Sequence, residues 1–249
     1  MDSKKIFWLH IKKSAGTSVR QILHPVYSEV ERVKNPGSFI QSDPEFYNDI
    51  LNNYRIPLGD YQFKRCLFAE KYLYPSTWEN LFSFAFSREP VSRCVSMFFY
   101  MYWRDPGVGP YFRYLVKHYL RTNRLHYNVS SSFDVFLDLI EATRSSGSIY
   151  RPVDLHFATH TAAVSGDVTD LDGKIMLKKI YRLEDLTQGI NQVFERCGID
   201  KKVSVGGTRF NENSKKGLYK PNSDQLKKIM KLYDEDFEIY ENAKNSLRQ

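Results

Sequence analysis

The chain contains 249 residues, of which 42% are apolar and 26% are charged, and its formal net charge is +7. These proportions are those of a globular protein and exclude a disordered, collagen-like or low-complexity chain. The basic surplus favours an anionic partner, whether nucleic acid, a membrane surface, a phosphorylated cofactor or an acidic glycan. The three scattered cysteines are too few for a disulfide framework or a zinc site, and their odd number fits a reducing compartment.

The amino terminus predicts neither a targeting segment nor a membrane anchor. Four apolar residues follow Lys4 and Lys5, whereas a secretory signal needs roughly 7–15. No window of the sequence approaches the ~20 apolar residues of a membrane-spanning helix. We therefore expect a soluble, cytoplasmic protein with no membrane span, and the alternative is a fragment from the lumen of the Golgi.

The first 102 residues predict strands that alternate with helices. Ile6–Leu9 is a short apolar run typical of a buried strand, and residues 19–23 form a helix that stops before Pro25. Pro90 suits the first residue of a helix that continues to residue 102. Further predicted elements are strands at residues 63–69 and 81–86 and a short helix at residues 45–53.

The second half of the chain is predicted to be mainly helical. Ser131 or Ser132 is a suitable N-cap for one helix, Gly198 ends another, and a final helix begins near Ser223. This last helix carries apolar side chains on one face as far as Tyr240. The remaining predicted elements are helices at residues 111–120, 133–143 and 186–197, a strand at residues 175–183 and a basic loop at residues 201–222.

The order of these elements predicts the fold class. Strands that alternate with helices indicate an α/β protein with a mostly parallel central sheet flanked by helices, a P-loop-like three-layer arrangement. No linker divides the chain, so we expect residues 1–249 to form a single domain. In such sheets, ligands bind at the carboxyl ends of the strands.

The first candidate site follows the strand Ile6–Leu9. Residues 10–18 read His-Ile-Lys-Lys-Ser-Ala-Gly-Thr-Ser, and Gly16 tolerates unusual backbone dihedral angles. N–H groups at the start of the next helix attract an anion, and Lys13 adds a mobile positive charge. The lysine precedes the glycine, so the pattern is not that of a nucleotide triphosphatase. The alternative is an ordinary strand-to-helix turn with solvated lysines.

The second candidate site follows the predicted strand at residues 81–86. Arg88 ends this strand, Pro90 begins a helix, and Ser96 lies two turns into it. The arginine fork binds a phosphate group through two hydrogen bonds, which lysine cannot do. The alternative is a surface arginine paired with Glu89 or another acid, which contributes little to stability.

Together the two segments resemble the donor-binding motifs of sulfotransferases that use 3′-phosphoadenosine-5′-phosphosulfate (PAPS). The first is similar to the carbohydrate-branch motif H-x-P-K-T-A-G-T-S, with Lys12 in place of proline and Ser14 in place of threonine. The second is similar to R-x-P-x-x-R-x-x-S-x-x-x-Y, which is matched by Arg88, Pro90, Arg93, Ser96 and Tyr100. Weaker similarity covers residues 181–186, 211–214 and 236–238.

The resemblance implies a role for each matching residue. Lys13 would contact the oxygen that bridges phosphate and sulfonate and so stabilise the leaving group. Arg88 and Ser96 would bind the 3′-phosphate, and Lys215 and Lys216 would close over the donor. The 5′-phosphate would be held by Ser14, Ala15, Gly16, Thr17 and Ser18, and Lys12, which departs from the motif, adds charge to the cofactor-binding segment. The product of the donor would be 3′,5′-adenosine bisphosphate (PAP), and no metal is expected.

The acceptor is expected to be a hydroxyl group, and the branch of the family favours a glycan. A hydroxyl acceptor needs a general base within hydrogen-bonding reach. Glu70 and His156 are the two candidates, and the resemblance supports both. Each has a structural alternative. For Glu70 it is a surface carboxylate paired with Lys71, and for His156 it is a packed structural histidine. Residues 111–127 interleave aromatic and basic residues and suit either a glycan-binding surface or an amphipathic helix.

Two other functions fit the composition less well. A nucleotide or small-molecule kinase needs a lysine after the glycine and an acidic magnesium ligand, and neither pattern is present. A non-catalytic polyanion-binding module predicts positive charge spread along a whole face. Here the charge is concentrated at residues 1–24, 86–104 and 201–220. We therefore expect a compact anion site and no nucleic-acid partner.

Overall fold

The computed structural model describes residues 5–23, 25–26, 47–48, 51, 58–101, 128–145, 152–204, 219–245 and 247. The chain divides into two compact units. Residues 1–89, 162–211 and 235–249 form the first unit, and residues 90–161 and 212–234 form the second. The predicted helix at residues 111–120 lies outside the described residues. The interpretation of residues 1–249 as one domain stays a prediction.

A parallel four-stranded sheet forms the centre of the first unit. The strands in chain order are β1 (Ile6–Leu9), β2 (Tyr47–Asn48), β3 (Phe82–Ser87) and β4 (Lys179–Arg182). They lie side by side in the order β2–β1–β3–β4, and every neighbouring pair is parallel. The sheet and its helices confirm the predicted α/β class with a parallel central sheet.

Nine helices are found in the described part of the chain. They are α1 (Gly16–Leu23), α2 (Arg65–Phe68), α3 (Pro90–Met101), α4 (Val129–Ser145), α5 (Pro152–Thr161), α6 (Val164–Val168), α7 (Leu186–Arg196), α8 (Ser223–Leu232) and α9 (Asp234–Asn242). Short 3-10 turns cover Gly59–Tyr61, Trp78–Asn80, Leu183–Asp185 and Ala243–Asn245, and a π-helical turn covers Ala69–Leu73.

Both faces of the sheet are buried. Phe7 and Leu9 pack into one apolar cluster, and their neighbours Ile6 and Trp8 pack into the other. Successive side chains of a strand point to opposite faces, so a strand covered on both sides is mostly apolar along its length. This explains why β1 is a continuous apolar run rather than an alternating one.

Aromatic rings form much of the core of the second unit. The ring of Phe98 on α3 lies 5.1 Å from that of Phe133 and 5.5 Å from that of Phe136, both on α4. The Phe136 ring in turn lies 5.8 Å from that of Phe157 on α5. Such edge-to-face pairs stabilise a core beyond the apolar area they bury.

Two of the element predictions are wrong. Residues 63–69 were expected to form a strand, but they contain α2 and the start of the π-helical turn. The spacing of apolar residues cannot distinguish a strand from a helix in so short a run. The ion pair of Arg65 with Asp167, a residue distant in the chain, anchors this segment in the fold. Residues 45–53 were expected to form a helix, but Tyr47–Asn48 pairs with β1 as an edge strand.

Most of the remaining elements agree with the sequence except at their ends. β1, β3, α3 and α7 are confirmed, and Gly198, with a φ of +63°, ends α7 as predicted. The strand predicted at residues 175–183 is shorter and is confined to β4. The helix predicted from Ser223 is interrupted at Tyr233 and continues as α9.

Helix caps lie slightly earlier than predicted. Asn128, rather than Ser131 or Ser132, caps α4, because its Oδ1 accepts a hydrogen bond of 2.8 Å from the Ser131 N–H. Asn222 caps α8 and forms a reciprocal capping box with Gln225. In the described part of the chain, no helix combines the length and the apolar character needed to cross a membrane.

The hydroxyl of Tyr181 gives a test of how an unsatisfied polar group affects the stability of the core. This hydroxyl is buried and has no hydrogen-bond partner among the described residues, and burial raises the pKa of Tyr181 to about 12. Replacing it with phenylalanine removes an unsatisfied polar group, so Tyr181→Phe should raise the free energy of unfolding by about 1 kcal/mol. Chemical denaturation measures this difference.

Tyr233→Phe is the matched control. The Tyr233 hydroxyl donates a hydrogen bond of 2.8 Å to the buried carbonyl of Thr161. Its removal should therefore lower the free energy of unfolding by about 1 kcal/mol. Equal destabilisation by both substitutions would contradict the assignment of Tyr181 as the unsatisfied group.

Candidate functional site

The turn between β1 and α1 has an unusual backbone. Lys13 and Ala15 have φ angles of +67° and +57°, which residues other than glycine rarely adopt. Each such residue costs about 1 kcal/mol or more, and it persists only where the surrounding structure imposes it. Strain of this kind concentrates at binding sites. The sequence pointed to Gly16 as the residue that tolerates unusual dihedral angles, whereas the positive φ angles of the turn lie at Lys13 and Ala15.

Position 16 needs a glycine because a neighbouring side chain leaves no room for a Cβ atom, and not because of its backbone angles. A Cβ atom at this position would lie 1.7 Å from Nε2 of His10, which is far inside van der Waals contact. The His10 ring is in turn stacked on Trp8, with ring centroids 5.3 Å apart. The imidazole therefore fills the space that a larger residue at position 16 would need, and it fixes how closely the start of α1 approaches the end of β1.

The turn presents several groups that fit an oxyanion. Ser14 is 2% exposed, and its hydroxyl has no hydrogen-bond partner among the described residues. An unsatisfied buried hydroxyl costs about 1–3 kcal/mol, so a ligand that accepts its hydrogen bond would recover that energy. The first backbone hydrogen bond of α1 runs from the Val19 N–H to the Ala15 carbonyl. The N–H groups before Val19 have no carbonyl partner within the helix, so they can donate hydrogen bonds to an anion.

The side chains of the turn differ in exposure. Lys12 and Ser18 are buried, Lys13 and Ala15 are half-buried, and Thr17 is exposed. The sequence suggested that Lys12 was one of two solvated lysines, and its burial corrects that alternative. Lysine charge, helix N–H groups and the Ser14 hydroxyl are brought together within seven residues of chain. Such a set suits the phosphate groups of a nucleotide.

The second candidate segment begins at the same edge of the sheet. β1 and β3 are parallel neighbours, with Leu9 paired with Ala85. The residues that follow them therefore emerge on the same side, and Arg88, which is half-buried, is one of these residues. Ser96 is buried on α3 and belongs to the second unit, so its joint role with Arg88 stays a prediction.

Arg93, the other arginine of this segment, is a packing residue. It is 3% exposed, and its guanidinium carbon lies 5.7 Å from the centroid of the Tyr233 ring. Both residues belong to the second unit. A cation held over an aromatic face stabilises the packing of α3 against the residue that follows α8.

Glu70 lies on the π-helical turn Ala69–Leu73 rather than directly after a strand. It is half-buried, and it has no hydrogen-bond or ion-pair partner among the described residues. Lys71, its expected partner, instead donates a hydrogen bond of 2.8 Å to the Tyr61 hydroxyl. That hydrogen bond lowers the pKa of Tyr61 and raises the pKa of Lys71. π-Helical turns occur often at functional sites.

His156 lies on α5 in the second unit and is half-buried. Its backbone carbonyl accepts a hydrogen bond of 2.9 Å from Nδ1 of His160, and the two rings lie 4.3 Å apart. His160 is also stacked on Tyr100, with centroids 5.4 Å apart. The sequence singled out His156, but it gave no sign that its ring lies beside that of His160, which in turn stacks on Tyr100.

The remaining predicted site residues, Lys215 and Lys216, lie outside the described residues. Across the described ranges, no group of three or more His, Cys, Asp or Glu side chains is arranged to hold a metal ion. The expectation that no metal takes part stays a prediction.

A parallel sheet flanked by helices, whose first strand leads through a strained turn into a helix, defines an α/β protein. The family model of the sulfotransferases matches residues 1–242, and the chain belongs to the sulfotransferase family. It is therefore a transferase that moves a sulfuryl group to a hydroxyl-bearing acceptor. Neither a curated protein nor a solved structure matches the chain.

The contact between His10 and Gly16 can be tested by a double-mutant cycle. Gly16→Ala places a methyl group where the imidazole lies, so it should lower the free energy of unfolding by about 1–3 kcal/mol. Adding His10→Ala opens the space and should recover part of that loss, with a coupling energy of about 1–2 kcal/mol. Denaturant unfolding of the four proteins measures the cycle.

Gly59→Ala provides the control for backbone effects alone. Gly59 has a φ of +57° and nothing within 4 Å of the position of a Cβ atom. Its substitution should cost about 1 kcal/mol and should not respond to His10→Ala. A zero coupling energy between positions 10 and 16 would contradict the proposed contact.

Proposed function

We propose that this protein is a PAPS-dependent sulfotransferase that acts on a hydroxyl group of a glycan. The observation that carries the proposal is the turn at residues 12–18, where an unsatisfied buried Ser14 hydroxyl lies between Lys13 and the start of α1. In a chain of the sulfotransferase family, an anion-binding turn of this kind is suited to the 5′-phosphate of the donor.

Each group of the turn has a part in holding the donor. When bound, PAPS supplies a sulfonate group linked to a phosphate that can leave. Ser14 Oγ and the N–H groups at the start of α1 donate hydrogen bonds to the 5′-phosphate. The Lys13 ammonium neutralises the charge that grows on the bridging oxygen as the bond to sulfur breaks. Lys12 adds a second positive charge behind it.

The 3′-phosphate is assigned to Arg88 and Ser96. The family motif supports both residues, and the position of Arg88 beside the turn at the edge of the sheet supports the first of them. Lys215 and Lys216 are assigned to the closure of the site over the donor on the motif argument alone. PAP remains as the second product, with the charge of both phosphates still neutralised by these groups.

Glu70 is proposed as the general base. It belongs to the same unit as Lys13, and the described structure leaves its carboxylate without another partner. The carboxylate accepts the proton of the acceptor hydroxyl while the new O–S bond forms. Lys13 stabilises the oxygen that leaves on the opposite side of the sulfur, so charge is balanced at both ends. His156 remains the alternative base, and substitution separates the two.

Aromatic side chains beside Glu70 support a sugar acceptor. Tyr72 is 49% exposed, and its ring lies 5.5 Å from that of Tyr61. Lys71 Nζ lies 5.4 Å from the centroid of each of these rings. Exposed rings pack against the C–H faces of sugars, and the lysine and tyrosine donate hydrogen bonds to sugar hydroxyls. The acceptor class is tested by a screen of glycans, lipids and phenols with radiolabelled donor.

Binding of PAP tests the donor site. Calorimetry should detect one molecule of PAP per chain with a Kd in the micromolar range, and absence of binding at about 100 μM would contradict the proposal. Arg88→Ala should mainly weaken PAP binding, since it removes a phosphate contact. Lys13→Ala should lower kcat by about 100- to 1000-fold, because the leaving oxygen loses its cation.

Lys174→Ala serves as the control for loss of a lysine charge. Lys174 is exposed on the turn after α6 and is not part of either donor motif. Its substitution should leave both PAP binding and kcat unchanged. An equal loss of activity in Lys13→Ala and Lys174→Ala would indicate a general charge effect rather than a specific leaving-group contact.

The general base is identified by comparing Glu70→Gln with His156→Asn. Glutamine preserves the size of the side chain but cannot accept the proton, so kcat should fall by about 100-fold or more with PAP binding unchanged. His156→Asn should retain most of the activity. Transfer by Glu70→Gln at the wild-type rate would exclude Glu70 and favour His156.

A further inference from the structure

We propose that Arg65 is a positioning residue that holds the turn at residues 10–18, here called the donor turn, in its binding shape. This inference rests on the proposed function. The guanidinium of Arg65 joins the turn to a second helix of the first unit. Nη1 donates a hydrogen bond of 3.3 Å to the carbonyl of His10, and Nη2 donates one of 2.7 Å to Oδ2 of Asp167. The backbone N–H of Arg65 also donates to Oδ1 of Asp167, at 3.3 Å.

This ion pair is buried and well anchored. The side chains of Arg65 and Asp167 are 4% and 5% exposed. Although burial opposes the charged form, the carboxylate of Asp167 raises the pKa of Arg65. Asp167 lies on α6, whose first N–H groups, those of Val164 and Ser165, donate to the buried carboxylate of Asp236 on α9. The guanidinium of Arg65, which binds the turn, is thus anchored to α6, and α6 is anchored to α9.

His10 is held both through its backbone carbonyl and through its ring. Arg65 binds its carbonyl, and its ring lies against Gly16 and on Trp8. The five residues between positions 10 and 16 must then connect two fixed ends. Lys13 and Ala15 meet this requirement by adopting positive φ angles. The contact of Arg65 with the carbonyl is therefore one of the restraints that keep the strained turn from relaxing.

Loss of that restraint should weaken donor binding without removing any donor contact. A turn that holds its binding shape only part of the time binds with an affinity reduced by that fraction. If the shape is kept in about one tenth to one fifth of the molecules, PAP affinity falls about 5- to 10-fold. Acceptor binding and the chemistry of bound donor are not expected to change.

Arg65→Lys is the informative substitution. Lysine keeps a positive charge for Asp167, but it lacks the fork that reaches two acceptors at once. PAP affinity is measured by calorimetry, donor and acceptor KM by kinetics, and amide hydrogen exchange at residues 11–16 by mass spectrometry. We expect 5- to 10-fold weaker PAP binding, a higher KM for the donor alone, and faster exchange in the turn but not in β1.

Arg182→Lys is the matched control. Arg182 makes the same kind of double contact in the same unit, with Nε donating to the carbonyl of Tyr240 at 2.9 Å and Nη2 to Glu241 at 2.9 Å. Its substitution should change PAP affinity by less than twofold. Equal losses of PAP affinity in the two variants would show a general effect on folding and would overturn the positioning role.

A second variant keeps the test valid if Arg65→Lys does not fold. Asp167→Asn removes the charge that orients Arg65 while it preserves the size of the side chain, and it should also weaken PAP binding several-fold. Wild-type affinity in either folded variant would overturn the inference and leave the proposed function intact. Failure of the wild-type protein to bind PAP would overturn both.

Discussion

The connection from β1 to α1 depends on how His10 is held. Its ring occupies the space beside Gly16, and its carbonyl is bound by the buried guanidinium of Arg65. With both ends of the turn fixed, the chain between them adopts positive φ angles at Lys13 and Ala15. The same short segment of chain carries the buried, unsatisfied hydroxyl of Ser14 and leads directly into the first residues of α1.

The parallel sheet supplies the wider frame for this turn. Because β1 and β3 are parallel neighbours, Arg88 and the turn after β1 emerge at the same edge of the sheet. Burial of both faces of the sheet favours apolar residues, and every residue of the central strand β1 is apolar and buried.

Two residues in segments of weaker family similarity, Arg182 and Asp236, make contacts that stabilise the fold. Arg182 lies 4.1 Å from the centroid of the Tyr240 ring and binds Glu241, which fastens α9 to β4. Asp236 caps α6 through backbone N–H groups. Motif similarity near the end of such a chain therefore reflects packing around the site as well as the site itself, and only the contacts distinguish the two.

The sequence alone determined the α/β class, the strands β1 and β3 and the turn at residues 10–18, because local runs of apolar and small residues encode them. The tertiary structure decided what depends on partners distant in the chain. Residues 63–69 form a helix around Arg65, whose partner Asp167 lies 102 positions away. Gly16 is required by the His10 ring, and Lys71 binds Tyr61 rather than Glu70. No local pattern encodes these contacts, since each depends on which elements the folded sheet brings together.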